Sequence, residues 1–241
     1  MYEVTSTHHD TRAAILAAMI RAEEDDARTA LRNAWRQHQI SWHRRTVFTA
    51  KDMTRSALDA LGVTLEPAHH DHLVRTLEDV ALAGEVRALE GARETLRTLA
   101  REGVRIALIC DTGFSPGRVV RTLLDRIGVL EFLEVTIFSD ELGAPKPEPA
   151  TFRRALEGLG VSAREAVHVG DLRRSDVAGA RAFGMGSIRI RAHNDDAGER
   201  PKPGSGVIDC GAAGCDPACE RPEADAVVDS CAELLEVLGF A

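Results

Sequence analysis

"HVGDLRRSDVAGA", residues 168–180, ends a short apolar run on Gly170 and then sets two acids, Asp171 and Asp176, ahead of a run of small residues. An apolar run that stops on glycine and acid and passes at once into a helical period reads as a strand feeding a helix. The same punctuation recurs on either side. "VRIALIC" (104–110) runs into Asp111, Thr112 and Gly113, and "VTIFS" (135–139) leads through "GAPKPEP" with Lys146. "SIRI" (187–190) and "DAVV" (225–228) are further short apolar runs, and helical stretches at 116–127, 149–159 and 174–184 separate the series. Strands alternating with helices predict an α/β fold with a Rossmann-like parallel sheet covered on both faces. Ligands of such sheets bind beyond the carboxyl ends of the strands.

Residues 89–241 are assigned to this core, with an irregular Cys/Gly/Pro-rich loop at 192–223. Residues 1–88 read differently. Helical spacing covers 10–39, 51–61 and 67–83, with another helix at 90–102, and nothing strand-like of any length precedes residue 104. An N-terminal α-helical unit is therefore expected ahead of the sheet.

Composition excludes several classes. The 241-residue chain carries a net charge of −8, which disfavours nucleic acid, since phosphate neutralisation needs a basic surface. No apolar run approaches the ~20 residues that span a bilayer, and "MYEVTSTHHD" has no signal-peptide pattern. The reading is a cytoplasmic protein with a small-molecule partner. Five cysteines, an odd number, make no disulfide framework, and Cys210, Cys215 and Cys219 match no familiar zinc spacing.

The polar strand ends carry the chemistry. Mg2+ takes oxygen ligands and prefers one or two carboxylates plus phosphate and water, which Asp171 and Asp176 can supply. Thr112 and the Gly113 amide can donate to phosphate oxygens, while Lys146 offsets charge on a transferred group. Lys146 is one of three lysines in an arginine-rich chain, which favours a function for it. Thr112 also has a plain reading as the cap of the helix near Pro116, and Asp171 and Asp176 as cap and dipole partner of theirs. His8, His9, His69, His70 and His72 read as a solvated helical face, His168 as a core residue, and Trp35 and Trp42 as packing anchors rather than parts of a substrate lid.

"ICDTG", "GAPKPEPATF" and "HVGDLRRSDVAGA", in that order, resemble the second, third and fourth motifs of the haloacid dehalogenase-like (HAD) hydrolase superfamily. The resemblance implies a Rossmann-like core with a helical cap, and Mg2+-dependent hydrolysis of a small phosphorylated metabolite. Lys146 and Thr112 would serve catalysis, Thr112, Gly113 and Lys146 would bind substrate, and Asp171 and Asp176 would hold the metal. Dehalogenases of the superfamily lack the paired acids of the fourth motif, so that activity is the lesser alternative.

One part of the pattern is missing. The family's nucleophile is an aspartate at the end of a central strand ahead of the cap, and no such strand or motif precedes the helical unit here. Asp111, Glu3 and Asp10 are weak substitutes, the last two because no apolar strand leads to them. Losing a central strand would leave its two neighbours with unpaired groups, each costing ~1 to 3 kcal/mol if buried. The expectation is a native chain that extends further at its amino end. The alternative is a HAD-like phosphate- or metabolite-binding or interaction protein without turnover.

Overall fold

The computed structural model describes residues 2–3, 7–191 and 223–240. A two-residue strand β1 (Tyr2–Glu3) opens the chain and is followed by helices α1 (Thr7–Ile20), α2 (Glu24–His43), α3 (Ala50–Ala60) and α4 (Pro67–Ala83). A second two-residue strand, β2 (Arg87–Ala88), pairs antiparallel with β1. Both are too short to have a period, which is why no strand is legible in the sequence before residue 104.

The single helix expected over 10–39 is two helices. Arg21 takes a φ of 58°, a left-handed conformation that ends a run of right-handed residues. Glu24, Asp25 and Asp26 then fill the first turn of α2, where negative charge is favoured by the helix dipole. Thr49 starts α3 with a capping box closed by Asp52, and Pro67 sits at the start of α4, where its missing N–H costs nothing. The four helices share one apolar cluster that includes Leu16, Leu31, Met53, Leu73 and Leu77. Phe114, from the core that follows, completes it.

The core continues with α5 (Ala92–Arg101), β3 (Ala107–Cys110), α6 (Gly117–Arg126), β4 (Val135–Phe138), α7 (Ser139–Leu142), α8 (Pro149–Leu159) and β5 (Val167–Gly170). A π-helical turn (Arg173–Val177) runs into α9 (Ala178–Ala182), and β6 (Gly186–Ile190), β7 (Ala226–Val228) and α10 (Cys231–Val237) follow. Every strand pair in the core is parallel, as strand–helix alternation requires.

The expected single sheet is divided. Among the described residues β3 pairs only with β4, and β5, β6 and β7 form a separate three-stranded sheet in that order. β3 and β5 are thus edge strands in the middle of the molecule. Between them lies a cavity of about 760 Å³, lined by both strands and walled by Leu96 and Leu99 of α5 and Leu156 and Leu159 of α8. Their burial reflects it: β6 is buried through its middle, whereas Ile109 and Val169 are only half-buried and Val167 is exposed.

Candidate active site

Three chain segments meet where β3 and β5 end. Lys146, on the loop between α7 and α8, donates from Nζ to Asp176 Oδ1 at 2.7 Å and to the Ile109 carbonyl of β3 at 3.3 Å. Asp176 Oδ1 also lies 2.9 Å from His168 Nε2 on β5, and Oδ2 accepts from the Leu172 amide at 3.1 Å. An ionised carboxylate only accepts, so His168 carries its proton on Nε2. Burial pushes the Asp176 carboxyl up, but the Lys146 ammonium and the His168 hydrogen bond more than reverse this and hold it well below the usual carboxylate range. Burial likewise pulls the Lys146 ammonium down, and Asp176 and Asp111 more than reverse it. Each charge stabilises the other, as a buried pair requires.

Gly170 permits this packing. A Cβ built on it would stand 2.2 Å from Asp176 Cγ, so only glycine lets the β5 backbone pass so close to the buried acid. Asp171 follows at the mouth of β5 and lines the cavity with Lys146 and Asp176. The two acids singled out by the sequence therefore differ in role: Asp176 is almost wholly buried and held on both oxygens, while Asp171 is half-buried.

Asp111, at the end of β3, accepts from the Lys146 amide on Oδ1 and from Trp42 Nε1 of α2 on Oδ2, both at 2.9 Å. Arg174 stacks its guanidinium 3.6 Å from the centre of the Trp42 ring. Trp42 therefore joins the helical unit to both β-strand ends, a role its packing assignment from sequence did not include. Trp35 lies over Gly113, where an added Cβ would meet its ring at 2.8 Å, and stacks with His38 and Phe114.

Thr112 is buried and turned toward β4. Its amide donates to Ser139 Oγ at 2.9 Å, and its hydroxyl donates to Asp140 Oδ1 at 2.9 Å. It does not cap the next helix, since Asp140 accepts from the Gly117 amide at the start of α6 and does that work from a distant segment. Lys146, Asp171 and Asp176 are thus gathered at one rim, with Thr112 and Gly113 beside them under the helical unit. Sequence reasoning overlooked Ser139 and Asp140, which lie on another strand's exit, and treated His168 as a core residue. The alternation of "AVHVG" puts His168 on one face of β5, but nothing local says which face meets Asp176.

His8 departs from the solvated face expected of it. It is buried beside Gly84, and burial, followed by the nearby Arg12, lowers its pKa. Glu3 belongs to β1, and Asp10 lies in the first turn of α1 with an exposed side chain, so neither stands at the end of a core strand. Cys210, Cys215 and Cys219 lie outside the described residues. Among the described residues no cluster of three or more His, Cys, Asp or Glu side chains is arranged to hold a metal, and no helix is long and apolar enough to cross a membrane.

A parallel α/β core whose strand ends present a buried lysine–aspartate pair beneath a helical unit belongs to the class of open α/β folds that carry their site on the carboxyl rim. A family model for haloacid dehalogenase-like hydrolases matches residues 2–184, and the chain belongs to that family. It is 33% identical over 139 residues to haloacid dehalogenase-like hydrolase domain-containing protein 3 of Bos taurus, covering 58% of this chain and 54% of that protein. It is 34% identical over 137 residues to the glyceraldehyde 3-phosphate phosphatase of Pyrococcus abyssi, covering 51% of this chain and 56% of that one. The chain thus spans about half the length of these curated relatives. The crystal structure of a HAD phosphatase from Thermococcus onnurineus superposes with a TM-score of 0.62 at 22% identity, over 96% of this chain and 88% of that one, a likeness of fold.

Proposed function

We propose that the rim of β3 and β5 is the active site of a phosphatase acting on a small phosphorylated metabolite in the cytoplasm, with residues 1–88 as the cap and 89–241 as the catalytic core. The observation that carries the reading is Lys146. A cation fixed by a buried acid at the exits of two parallel strands is suited to a phosphoryl group, whose transfer is catalysed mainly by positioning and charge. Names of relatives at 33% and 34% identity, one of them a glyceraldehyde 3-phosphate phosphatase, support it.

Each residue has a task in this reading. Lys146 offsets negative charge on the phosphoryl oxygens, and Asp176 and the Ile109 carbonyl keep its ammonium aimed and protonated. The amides and hydroxyl around Thr112 and Gly113 bind phosphate oxygens. In the structure the Thr112 hydroxyl is held by Asp140, so binding through it needs that bond to be shared or exchanged. Trp42 holds the cap down on Asp111, which excludes water from the rim.

Mg2+ is the proposed cofactor, held by Asp171 and Asp176. The donor chemistry fits, since Mg2+ keeps several waters and takes as few as one or two carboxylates. Asp176 already accepts from Lys146, His168 and Leu172, so Asp171 is the carboxylate we assign to direct contact and Asp176 the second, shared with Lys146. When bound, the ion would neutralise phosphate charge beside Lys146.

The attacking group of the family mechanism is an aspartate, and both oxygens of Asp111 are engaged by Lys146 and Trp42. That engagement, with the divided sheet, favours a second reading: phosphate is bound and not turned over. The test is calorimetric titration with inorganic phosphate and an assay with p-nitrophenyl phosphate, each with and without Mg2+. Binding that requires Mg2+ and is lost in Lys146→Ala supports the site. Phosphate binding indifferent to Mg2+, to Lys146→Ala and to Asp171→Asn would refute it.

A further inference from the structure

We infer that His38 of α2 reads the substrate from the helical side of the rim, its Nε2 accepting a hydrogen bond from a hydroxyl on the carbon next to the phosphate ester. The inference rests on the proposed phosphate site and narrows its substrate to hydroxylated phosphate esters. Trp35 and His38 stand three positions apart on α2 and so share one face of it. That face lies over the loop that follows β3. A Cβ built on Gly113 would stand 2.8 Å from the Trp35 ring and 3.7 Å from His38 Nε2, so Nε2 points at the backbone assigned to phosphate.

Two contacts fix the imidazole. Its ring stacks on Trp35 with centroids 4.9 Å apart, and Nδ1 lies 2.7 Å from the carbonyl of Phe48, which precedes α3. A carbonyl only accepts, so Nδ1 carries the proton and Nε2 the lone pair. Burial lowers the His38 pKa, against the Phe48 bond and the Asp111 charge, and so favours the neutral ring. Among the described residues no donor meets Nε2. The chemistry of that nitrogen selects its ligand. A phosphate monoester, with a second pKa of about 6, is mostly a dianion at neutral pH, and its oxygens only accept. A lone pair therefore repels the phosphate and takes a donor from the organic part of the molecule. A phosphate held at Thr112 and Gly113 brings its ester carbons beside His38, where a hydroxyl one carbon on is the nearest donor.

The experiment compares 2-hydroxypropyl phosphate with propyl phosphate on the full chain in the presence of Mg2+. The two esters differ by one hydroxyl. Preference is read as the ratio of Kd values, or of kcat/KM where the esters are hydrolysed. The natural chain should favour the hydroxylated ester by about three- to tenfold, the worth of one neutral hydrogen bond. His38→Phe keeps a ring on Trp35 and removes the acceptor, so it should weaken that ester alone and bring the ratio to unity. His38→Gln, whose amide oxygen can stand where Nε2 does, should keep part of the preference. Equal affinity for the two esters in the natural chain overturns the inference and leaves the phosphate site standing. A preference that survives in His38→Phe assigns the reading to another group and overturns it too. Equal weakening of both esters in His38→Phe makes His38 a packing residue, with the same result. Binding of neither ester refutes the phosphate site itself, and the inference falls with it.

Discussion

Lys146 and Asp176 are buried together, and the cost of separating them sets what single substitutions do. Lys146→Met leaves a carboxylate in the interior held by His168, the Leu172 amide and the Ser175 hydroxyl but by no lysine, and should destabilise the fold by about 3 to 5 kcal/mol. Urea denaturation checks this. The double variant Lys146→Met/Asp176→Leu should recover much of the loss, because no charge then stays buried unpaired. The pair also sets an acid limit. Asp176 has its pKa lowered in the fold, so its contribution is complete above the unfolded carboxylate value of about 3.9 and drains away as pH falls below it toward the folded value. Lys146 is shifted the other way, so its share is lost only as pH rises beyond the unfolded value of about 10.4 toward the folded one. The urea midpoint should therefore fall between about pH 4 and about pH 2 in the natural chain, and this part of the slope should vanish in the double variant. Gly170 belongs to the same cluster. Gly170→Ala drives a methyl into Asp176 and should weaken the fold and phosphate binding together, while Gly186→Ala, where a Cβ meets only ordinary contacts, should do neither.

At the level of elements, the start of α6 shows what a local reading can and cannot find. Pro116 ahead of the helix was legible, but the group that satisfies the Gly117 amide is Asp140, which arrives from beyond β4. For that work the sequence offered Thr112, a near neighbour of the right type, as the plain alternative to its phosphate-binding role. Asp140→Ala removes the cap and also the acceptor of the Thr112 hydroxyl, and should cost about 0.5 to 2 kcal/mol. Thr112→Val should cost less, since Asp140 keeps its bonds to Gly117; a larger effect from Thr112→Val in thermal unfolding would contradict this assignment. The same limit explains Trp42 and His168. Their spacing fits a helix and a strand, and their partners Asp111 and Asp176 are 69 and 8 positions away. The core strands and the helices α3, α4, α6 and α8 were legible because each carries its own period. The break at Arg21 was not, because "MIRAEED" continues a helical composition through a residue whose backbone turns the other way.

Across the whole molecule, the parallel alternation was legible, and the described strands form a sheet in two parts. Among the described residues no ladder joins β3 to β5, and packed side chains link the halves. Besides Lys146, this falls to α5, which packs on α10, and to α8, which packs on β3 and β4 on one side and on α9 on the other. Phe152 is its pivot. It is fully buried, lies edge-on to His168 and stacks with Phe183, and its ring comes so near Gly179 that a Cβ there would stand 2.5 Å away. In a continuous sheet, Phe152→Ala would cost the usual ~3 to 5 kcal/mol for an aromatic truncation and leave unfolding as one event. Here the same substitution removes an apolar bridge between two sheets that, among the described residues, share no ladder. We therefore expect β5, β6 and β7 to open before β3 and β4 in Phe152→Ala, with amide exchange in β6 rising toward that of an edge strand while α6 stays protected. The control is Leu124→Ala, a fully buried truncation within the β3–β4 half, which should raise exchange in α6 and leave β6 as it was. Exchange that rises equally in both halves for both variants would mean that the halves fold as one unit and that contacts other than Phe152 bind them.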